Sequence, residues 1–251
     1  MKIEINIKNK KSLGQNFLID KNIIKKIINR IQIKDKKILE IGPGNGSLTD
    51  EIIKKKPKSL LLIEKDNELF HYLKKKYEKY KFINILNKDI LKYKFENIKN
   101  YKIISNLPYN ISRKILLNTF ILYNNFDEII FMIQKELAEK FDISKSKMNK
   151  YNFYSNLCGE YKIMFNVSPN VFYPKPKVIS SVIKFKNKKK EINRNKLDYF
   201  LKYFFKNKRK KIKSNKEFLE YIDKNILDYR YEDLNYVQIL KIYQRFKFTI
   251  S

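Results

Sequence analysis

The stretch "KILEIGPGNGSL", Lys37 to Leu48, decides the fold class. It opens with a short apolar run, Lys37–Gly42, that reads as a strand, and it passes into "SLTDEIIKKK", which reads as a helix. The chain has 5 glycines in all, and three of them, Gly42, Gly44 and Gly46, stand at this one strand-to-helix turn. Glycine there removes Cβ, permits positive φ and lets a ligand come close to the backbone. The helix that follows presents free N–H groups to a carboxylate or phosphate. A tight turn with no ligand accounts for the glycines equally well until the neighbouring strands are considered.

Outward from this turn, strands and helices alternate. "DKNIIKKIINRI" carries Ile at 23, 24, 27, 28 and 31 behind Asp20, an N-cap residue, and reads as an amphipathic helix. Ser59–Lys65 ("SLLLIEK") and Lys81–Asp89 ("KFINILNKD") read as strands two and three, separated by the helical "DNELFHYLKKKYEKY". "YKIISNL" is a fourth strand, followed by a helix over Arg113–Tyr123; "DEIIFMIQ" (Asp127–Gln134) is a fifth, followed by the helical "KELAEKF". Strands that are apolar on both faces and alternate with helices predict an α/β fold, a doubly wound, mostly parallel sheet covered on both sides. After about Lys145, "EYKIMFNVS" and "KVISSVIKFK" read as two further strands around the loop "PNVFYPKPK". Lys186–Asn195 reads as a charged linker, and Leu197, Phe200, Leu201, Phe204 and Phe205 then share one helix face. The expected division is a domain over 1–186 and a small basic helical domain over 187–251.

The carboxyl ends of the first four strands are polar: the glycine turn, Glu64, Asp89 and Asn106. A doubly wound sheet keeps its crevice at that edge, and an acid about 20 residues past the glycines accepts hydrogen bonds from ribose hydroxyls. Glu64 follows Gly42 by 22 residues (64 minus 42). Together these residues point to a bound nucleoside. The spacing is G-x-G-x-G with Ser47 where a dinucleotide fingerprint has its last glycine, which disfavours NAD and FAD, and no G-x-x-x-x-G-K-[ST] occurs, which excludes a P-loop NTPase.

"NLPYNIS", Asn106–Ser112, supplies the chemistry. If the crevice holds a methyl donor, a target amine must be presented to it. The exocyclic nitrogen of adenine is a poor nucleophile, because its lone pair is delocalised into the ring. Two acceptors that hold its hydrogens draw it towards tetrahedral geometry; the side-chain oxygen of Asn106 and the backbone carbonyl of Leu107 or Pro108 can serve. Pro108 fixes its own φ and holds a turn that exposes carbonyls, and Tyr109 can stack on the base. Catalysis of this kind is positioning plus electrostatics. Residue chemistry alone also allows Asn106 to end a strand, Pro108 to start a turn and Tyr109 to fill the core.

Composition narrows the classes. Lys+Arg number 56 against 26 Asp+Glu, a net charge of +30, which points to a polyanionic partner such as nucleic acid. One cysteine, Cys158, and one histidine, His71, make a Cys- or His-based metal site and a Ser-His-Asp hydrolase unexpected, so no metal is expected. His71 lies in a charge-rich helical pattern and is expected at the surface. No apolar run approaches the ~20 residues of a membrane span, and "MKIEINIKNKKS" lacks a secretory apolar core. The expectation is a soluble, cytoplasmic protein, with an organelle matrix as the other setting.

An N-[L/I]-P-[Y/F] motif after the fourth strand is the signature of amino methyltransferases, and the chain resembles the small-subunit rRNA adenine-N6 dimethyltransferases. Five segments in order carry the resemblance: "KSLGQNFLID" (Lys11–Asp20), "EIGPGNGSLT", "NLPYNIS", "MIQKELAEK" (Met132–Lys140) and "VFYPKPKVISSVIKF" (Val171–Phe185). The resemblance implies a Rossmann-like class I fold that uses S-adenosylmethionine (SAM) and dimethylates two adjacent adenines in a hairpin loop near the 3′ end of small-subunit rRNA, in immature small subunits, as a monomer. It implies that Asn16 and Leu18 close over SAM, that Gly42 and Gly44 lie against it, that Glu64 holds its ribose and Asp89 its adenine amine. Asn106 would face both the methyl group and the target nitrogen, beside Leu107 and Pro108, while Tyr109 and Phe172 would sandwich the target adenine, taken out of its stack. "KNKRKKIKSN" (Lys206–Asn215) resembles the family's basic, phosphate-gripping element. Two positions depart: Lys88 stands where the family often has glycine, and Asn152 follows Tyr151 where "YG" is usual, a place where asparagine would keep a left-handed turn. The neighbouring readings are the large-subunit rRNA methyltransferases of macrolide resistance, disfavoured by "PKPKVISSVI", and a non-catalytic RNA-binding factor on the same fold, disfavoured by intact Glu64, Asp89 and Asn106. An NAD-dependent oxidoreductase is more distant, since no pocket histidine is available.

Overall fold

A computed structural model describes residues 15–95, 98–121, 126–188, 192–206 and 210–248. In chain order the elements are β1 (Phe17–Leu18), α1 (Lys21–Ile28), β2 (Lys37–Ile41), α2 (Ser47–Lys54), β3 (Ser59–Glu64), α3 (Asn67–Tyr77), β4 (Ile83–Asn87), β5 (Tyr101–Asn106), α4 (Ser112–Ile121), β6 (Phe126–Gln134), α5 (Lys135–Phe141), α6 (Lys150–Cys158), β7 (Gly159–Val167), β8 (Phe172–Tyr173), β9 (Ser180–Asn187), α7 (Arg194–Phe204) and α8 (Tyr236–Arg245). Several short 3-10 turns lie between α7 and α8.

Seven strands form one sheet in the order β4-β3-β2-β5-β6-β9-β7. From β4 to β6 every pairing is parallel, and β9 runs antiparallel to β6. Ile38, Leu39, Leu60, Leu62, Ile103, Ile104, Ile129 and Ile130 are all buried, so the central strands are covered on both faces. That is the doubly wound arrangement the apolar runs predict. The helix starts also follow the sequence. Asp20 accepts the N–H groups of Asn22 and Ile23 at 2.8 and 3.0 Å, and Asp66 accepts those of Glu68 and Leu69 at 2.9 and 3.3 Å. Each satisfies donors that the first helical turn leaves unpaired. His71 is exposed, as its charged context suggests. No helix among the described residues is long and apolar enough to cross a membrane.

The chain separates into two units, residues 1–138 with 162–187, and 139–161 with 188–251. The second unit is built on aromatic packing. Phe200 stacks on Phe204 with centroids 4.6 Å apart, Phe204 meets Tyr231 edge-on at 4.7 Å, and Phe153 of α6 reaches Phe200 at 5.8 Å. Leu197, Phe200 and Phe204 are the buried face of α7, the stripe read from the sequence.

Three local expectations change. Helix α6 carries no clear apolar period and was not anticipated. Asn152 lies in it rather than in a left-handed turn: the Asn149 side chain accepts the Asn152 N–H, and the Asn152 side chain accepts the Asn149 N–H at 2.9 Å, a reciprocal cap. An asparagine can replace glycine here because the backbone stays helical and the side chain caps it. The expected linker is shorter than 186–195, since β9 runs to Asn187 and α7 begins at Arg194; residues 189–191 lie outside the described residues, as do 11–14 of the N-terminal motif, 122–123 of the fourth helix and 207–209 of the basic run.

Glu40 in β2 is 1% exposed and accepts the Thr49 hydroxyl of α2 at 2.7 Å. Burial pushes its carboxyl from an ordinary 4.5 to about 8, against the pull of the Thr49 hydrogen bond. Between those two values the unfolded chain has released this proton while the folded chain still holds it. Stability therefore falls as pH rises through that window, with a slope approaching ~1.4 kcal/mol per pH unit from this group. Glu40→Gln keeps the acceptor for Thr49 and removes the proton. Urea unfolding of both proteins at several pH values from 5 to 8 should show the variant losing less stability with rising pH; parallel curves would contradict the buried protonated carboxyl.

Candidate functional site

The ladder between β2 and β3 continues to Ile41↔Ile63, whereas the ladder between β2 and β5 stops at Leu39↔Ile103. Beyond that point β2 and β5 part, and the Ser105 hydroxyl bridges the gap by donating to the Ile41 carbonyl. The strand order reverses here, because β3 and β4 lie on one side of β2 and β5 and β6 on the other. A cleft with about 1120 Å³ of empty space, open solvent included, lies at these carboxyl ends.

The glycine turn forms one wall. Gly44 has φ of +59°, and a Cβ on it would stand 2.8 Å from the Phe17 ring. Gly46 has φ of +82°, and a Cβ there would stand 2.1 Å from the Tyr77 hydroxyl. That hydroxyl shares its one hydrogen between Asp50 at 2.7 Å and the Gly46 carbonyl at 3.1 Å, which fixes the start of α2 to α3. Both positions thus need glycine for conformation and for space. Gly42 is less crowded: a Cβ on it would lie 3.8 Å from Pro108, in the gap between the glycine turn and the Asn106–Tyr109 elbow.

Glu64, at the tip of β3, is buried and tied to this wall. Its carboxylate accepts the Gly44 N–H at 3.2 Å and the Asp66 N–H at 2.9 Å. Burial raises its pKa, and the N–H donors of Asp66, Gly44 and Lys65 pull it part of the way back. Asp89 is more open. It accepts the Leu91 N–H at 3.0 Å and pairs with Lys65 at 3.0 Å. Partial burial raises its pKa, but the Lys65 and Leu91 hydrogen bonds outweigh that and hold it below the ordinary value. Lys88 also lines the cleft.

The elbow after β5 forms the opposite wall. The Asn106 side chain donates from Nδ2 to the Asn16 carbonyl at 2.9 Å, so its donor end is engaged and Oδ1 is the end left to accept. The Leu107 N–H is held by Met132, and the Pro108 carbonyl accepts the Ile111 N–H at 3.2 Å. The Tyr109 hydroxyl lies 2.6 Å from the Ser180 hydroxyl. Burial raises the Tyr109 pKa, and the Ser180 contact opposes this only in part.

Of the residues singled out in the sequence, Asn16, Leu18, Gly42, Gly44, Glu64, Asp89, Asn106, Leu107, Pro108 and Tyr109 all line this one cleft. Phe172 does not. It is 3% exposed and packs in the same apolar cluster as Leu18, Ile104 and Val182, because β8 pairs antiparallel with β1 and sets Phe172 opposite Leu18. Sequence reading missed Phe17, whose ring covers Gly44, and the serines Ser105 and Ser180. Phe17 sits inside the quoted "KSLGQNFLID" and could have been flagged as the aromatic of a glycine-poor wall. A lone serine in an apolar strand carries no such signal.

The chemistry of the cleft suits SAM. The glycine wall leaves backbone room, Glu64 offers a buried acceptor and Asp89 a half-open one. A model of the ribosomal RNA adenine dimethylase family matches residues 6–250. A ribosomal RNA small subunit methyltransferase A from Malacoplasma penetrans is 42% identical over 76% of this chain and 71% of its own length. Its namesake from Hydrogenobaculum is 37% identical over 92% of both chains. Among solved structures, a dimethyladenosine transferase from Plasmodium falciparum matches with a TM-score of 0.75 at 25% identity, covering 90% of this chain and 95% of that one. The 23S rRNA methyltransferase ErmE shares the fold, with the same TM-score of 0.75 at 19% identity over 92% and 99%. With the match spanning both units, the chain belongs to the ribosomal RNA adenine dimethylase family.

Proposed function

We propose that the protein transfers methyl groups from SAM to the N6 amines of two adjacent adenines in a hairpin loop near the 3′ end of small-subunit rRNA, as part of small-subunit assembly. The observation that carries this reading is the Asn106 amide, lining the cleft with its donor end bound to Asn16 and its acceptor end left for a ligand. The relatives named for the small subunit favour that substrate over the large-subunit one, since the ErmE likeness is one of fold. Intact Glu64, Asp89 and Asn106 favour an enzyme over a non-catalytic RNA-binding factor. The protein would act as a monomer in the cytoplasm, where ribosomes assemble.

SAM, when bound, supplies an electrophilic methyl group. The chain's own residues do the rest. Gly42 and Gly44 would give it backbone to lie against, Glu64 would accept from its ribose hydroxyls and Asp89 from its adenine amine, and Asn16 and Leu18 would close over it. On the target side, Asn106 Oδ1 and a backbone carbonyl accept the two hydrogens of the N6 amine. The Leu107 carbonyl, or the Pro108 carbonyl, which keeps a second lone pair beside its bond from Ile111, supplies that second acceptor. Two acceptors placed this way pull the nitrogen out of conjugation and aim its lone pair. Tyr109, fixed at its hydroxyl by Ser180, stacks on the flipped base. Alkylation makes the amine strongly acidic, so it releases its proton to water and no base of unusual pKa is required.

The second unit would grip phosphates. Lys206, Lys210, Lys211 and Lys213 are exposed, although Lys211 and Lys213 share Asp228 at 3.1 and 2.7 Å. Phosphate contacts make affinity fall with salt.

Two outcomes test this reading. Asn106→Ala should cut methyl transfer to immature small subunits by at least ~100-fold, the scale of losing a positioned charge-stabilising group, while SAM affinity by calorimetry changes less than about threefold; equal loss of both would remove the assigned role. Replacing Lys206 and Lys210 together by alanine should weaken small-subunit binding and flatten the plot of log K against log salt by up to about two phosphate contacts. An unchanged slope would take the grip away from this unit.

A further inference from the structure

The ribbon of β1 and β8 borders the cleft, and its register sorts four side chains. Phe17 faces Tyr173, and Leu18 faces Phe172. Residues directly opposite in an antiparallel pair share one face of the ribbon. Leu18 and Phe172 are buried, Leu18 at the cleft wall, and the other face carries Phe17, which also lines the cleft, over Gly44, and Tyr173, which is 66% exposed. Ile19, whose N–H is bound to Val171, and Val178 and Ile179, later in the same loop, are further exposed apolar side chains of these segments. Lys175 and Lys177, between Tyr173 and Val178 in the chain, are exposed. The loop then reaches Ser180, which holds the Tyr109 hydroxyl.

We propose that Tyr173 stacks on an unpaired base next to the target adenine, with Lys175 and Lys177 on the adjoining phosphates. This rests on the rRNA methyltransferase reading and adds a nucleotide subsite to it. An exposed ring directly opposite a cleft-lining residue is the form single-stranded RNA recognition takes, since every base offers a π-face and its backbone offers charge for lysines. Tyr109 is part-buried in the cleft and suits the flipped base; Tyr173 lies outside it and suits a neighbour in the loop. An apolar protein partner would leave the two lysines without a role.

The test compares the unaltered protein with Tyr173→Ala and Tyr173→Phe, using labelled SAM and immature small subunits. An exposed position tolerates both changes without loss of folding. Tyr173→Ala should raise KM for the small subunit about tenfold, within the range of one lost stacking contact. Its kcat should stay within about twofold and SAM affinity should not move. Tyr173→Phe, which keeps the ring, should restore KM. A wild-type KM in Tyr173→Ala, an equal defect in Tyr173→Phe, or a parallel loss of SAM affinity would each overturn the stacking role while leaving the methyltransferase intact. Failure of the unaltered protein to methylate the particles would overturn both readings.

Discussion

Where β2 and β5 part company, the sheet stops being able to pair with itself. A parallel sheet connected by right-handed crossovers must send its chain to one face on one side of the first strand and to the other face on the other side. The two strands at the reversal cannot keep laddering to their ends, because their exits leave in opposite directions. Here the last backbone pair is Leu39↔Ile103, and Ser105 closes the split with a side-chain bond to Ile41. The glycine turn hangs from one lip and the Asn106 elbow from the other. A ligand that fits between them is surrounded by backbone and strand-end side chains already fixed by the sheet, so little ordering is left to be done on binding.

Much of this was legible because strand ends are sequence events. An apolar run stops, a polar residue follows, and the sheet places those residues on one edge; that is why Gly42, Glu64, Asp89 and Asn106 meet although they come from four separate strands. What escaped is what depends on pairing between distant short pieces. β1 and β8 have two residues each, too few to show any period. Their register nevertheless decides that Phe172 turns into the core and Tyr173 outward. The bond from Asn106 to the carbonyl of Asn16 likewise spans 90 residues of sequence and uses a backbone acceptor, which every residue possesses. Asn152 shows a different limit. The asparagine suggested a turn by its conformational tolerance, but its side chain found a second use as a helix cap, and local hydrogen bonding won.

The electrostatics divide the molecule by role. With a net charge of +30, lysines dominate the surface, where they raise the local concentration of a polyanion. The carboxylates beside the cleft are withdrawn instead. Glu40, Glu64 and Asp66 are each at most 6% exposed, and each is spent on a neighbour: Thr49, the glycine turn, and the start of α3. Burial keeps Glu40 protonated up to about pH 8, so at neutral pH it carries no charge to offset the lysines, while Glu64 and Asp66 turn their oxygens onto backbone N–H groups.

Asp89 is the exception. Its partner Lys65 has a side chain 58% exposed, so their ion pair is solvent-screened and weak. A carboxylate has about four lone-pair directions, and Leu91 and Lys65 occupy two of them. Asp89 can therefore accept a further N–H from a bound adenine ring without first releasing its present partners. Lys65 then has a second consequence. By lowering an already acidic pKa it widens the pH range over which Asp89 is an acceptor only, a state that would favour an amine over a carbonyl on a purine placed there. Lys88 adds positive charge to the same corner without displacing this arrangement, since the contacts to Asp89 come from Lys65 and the Leu91 backbone.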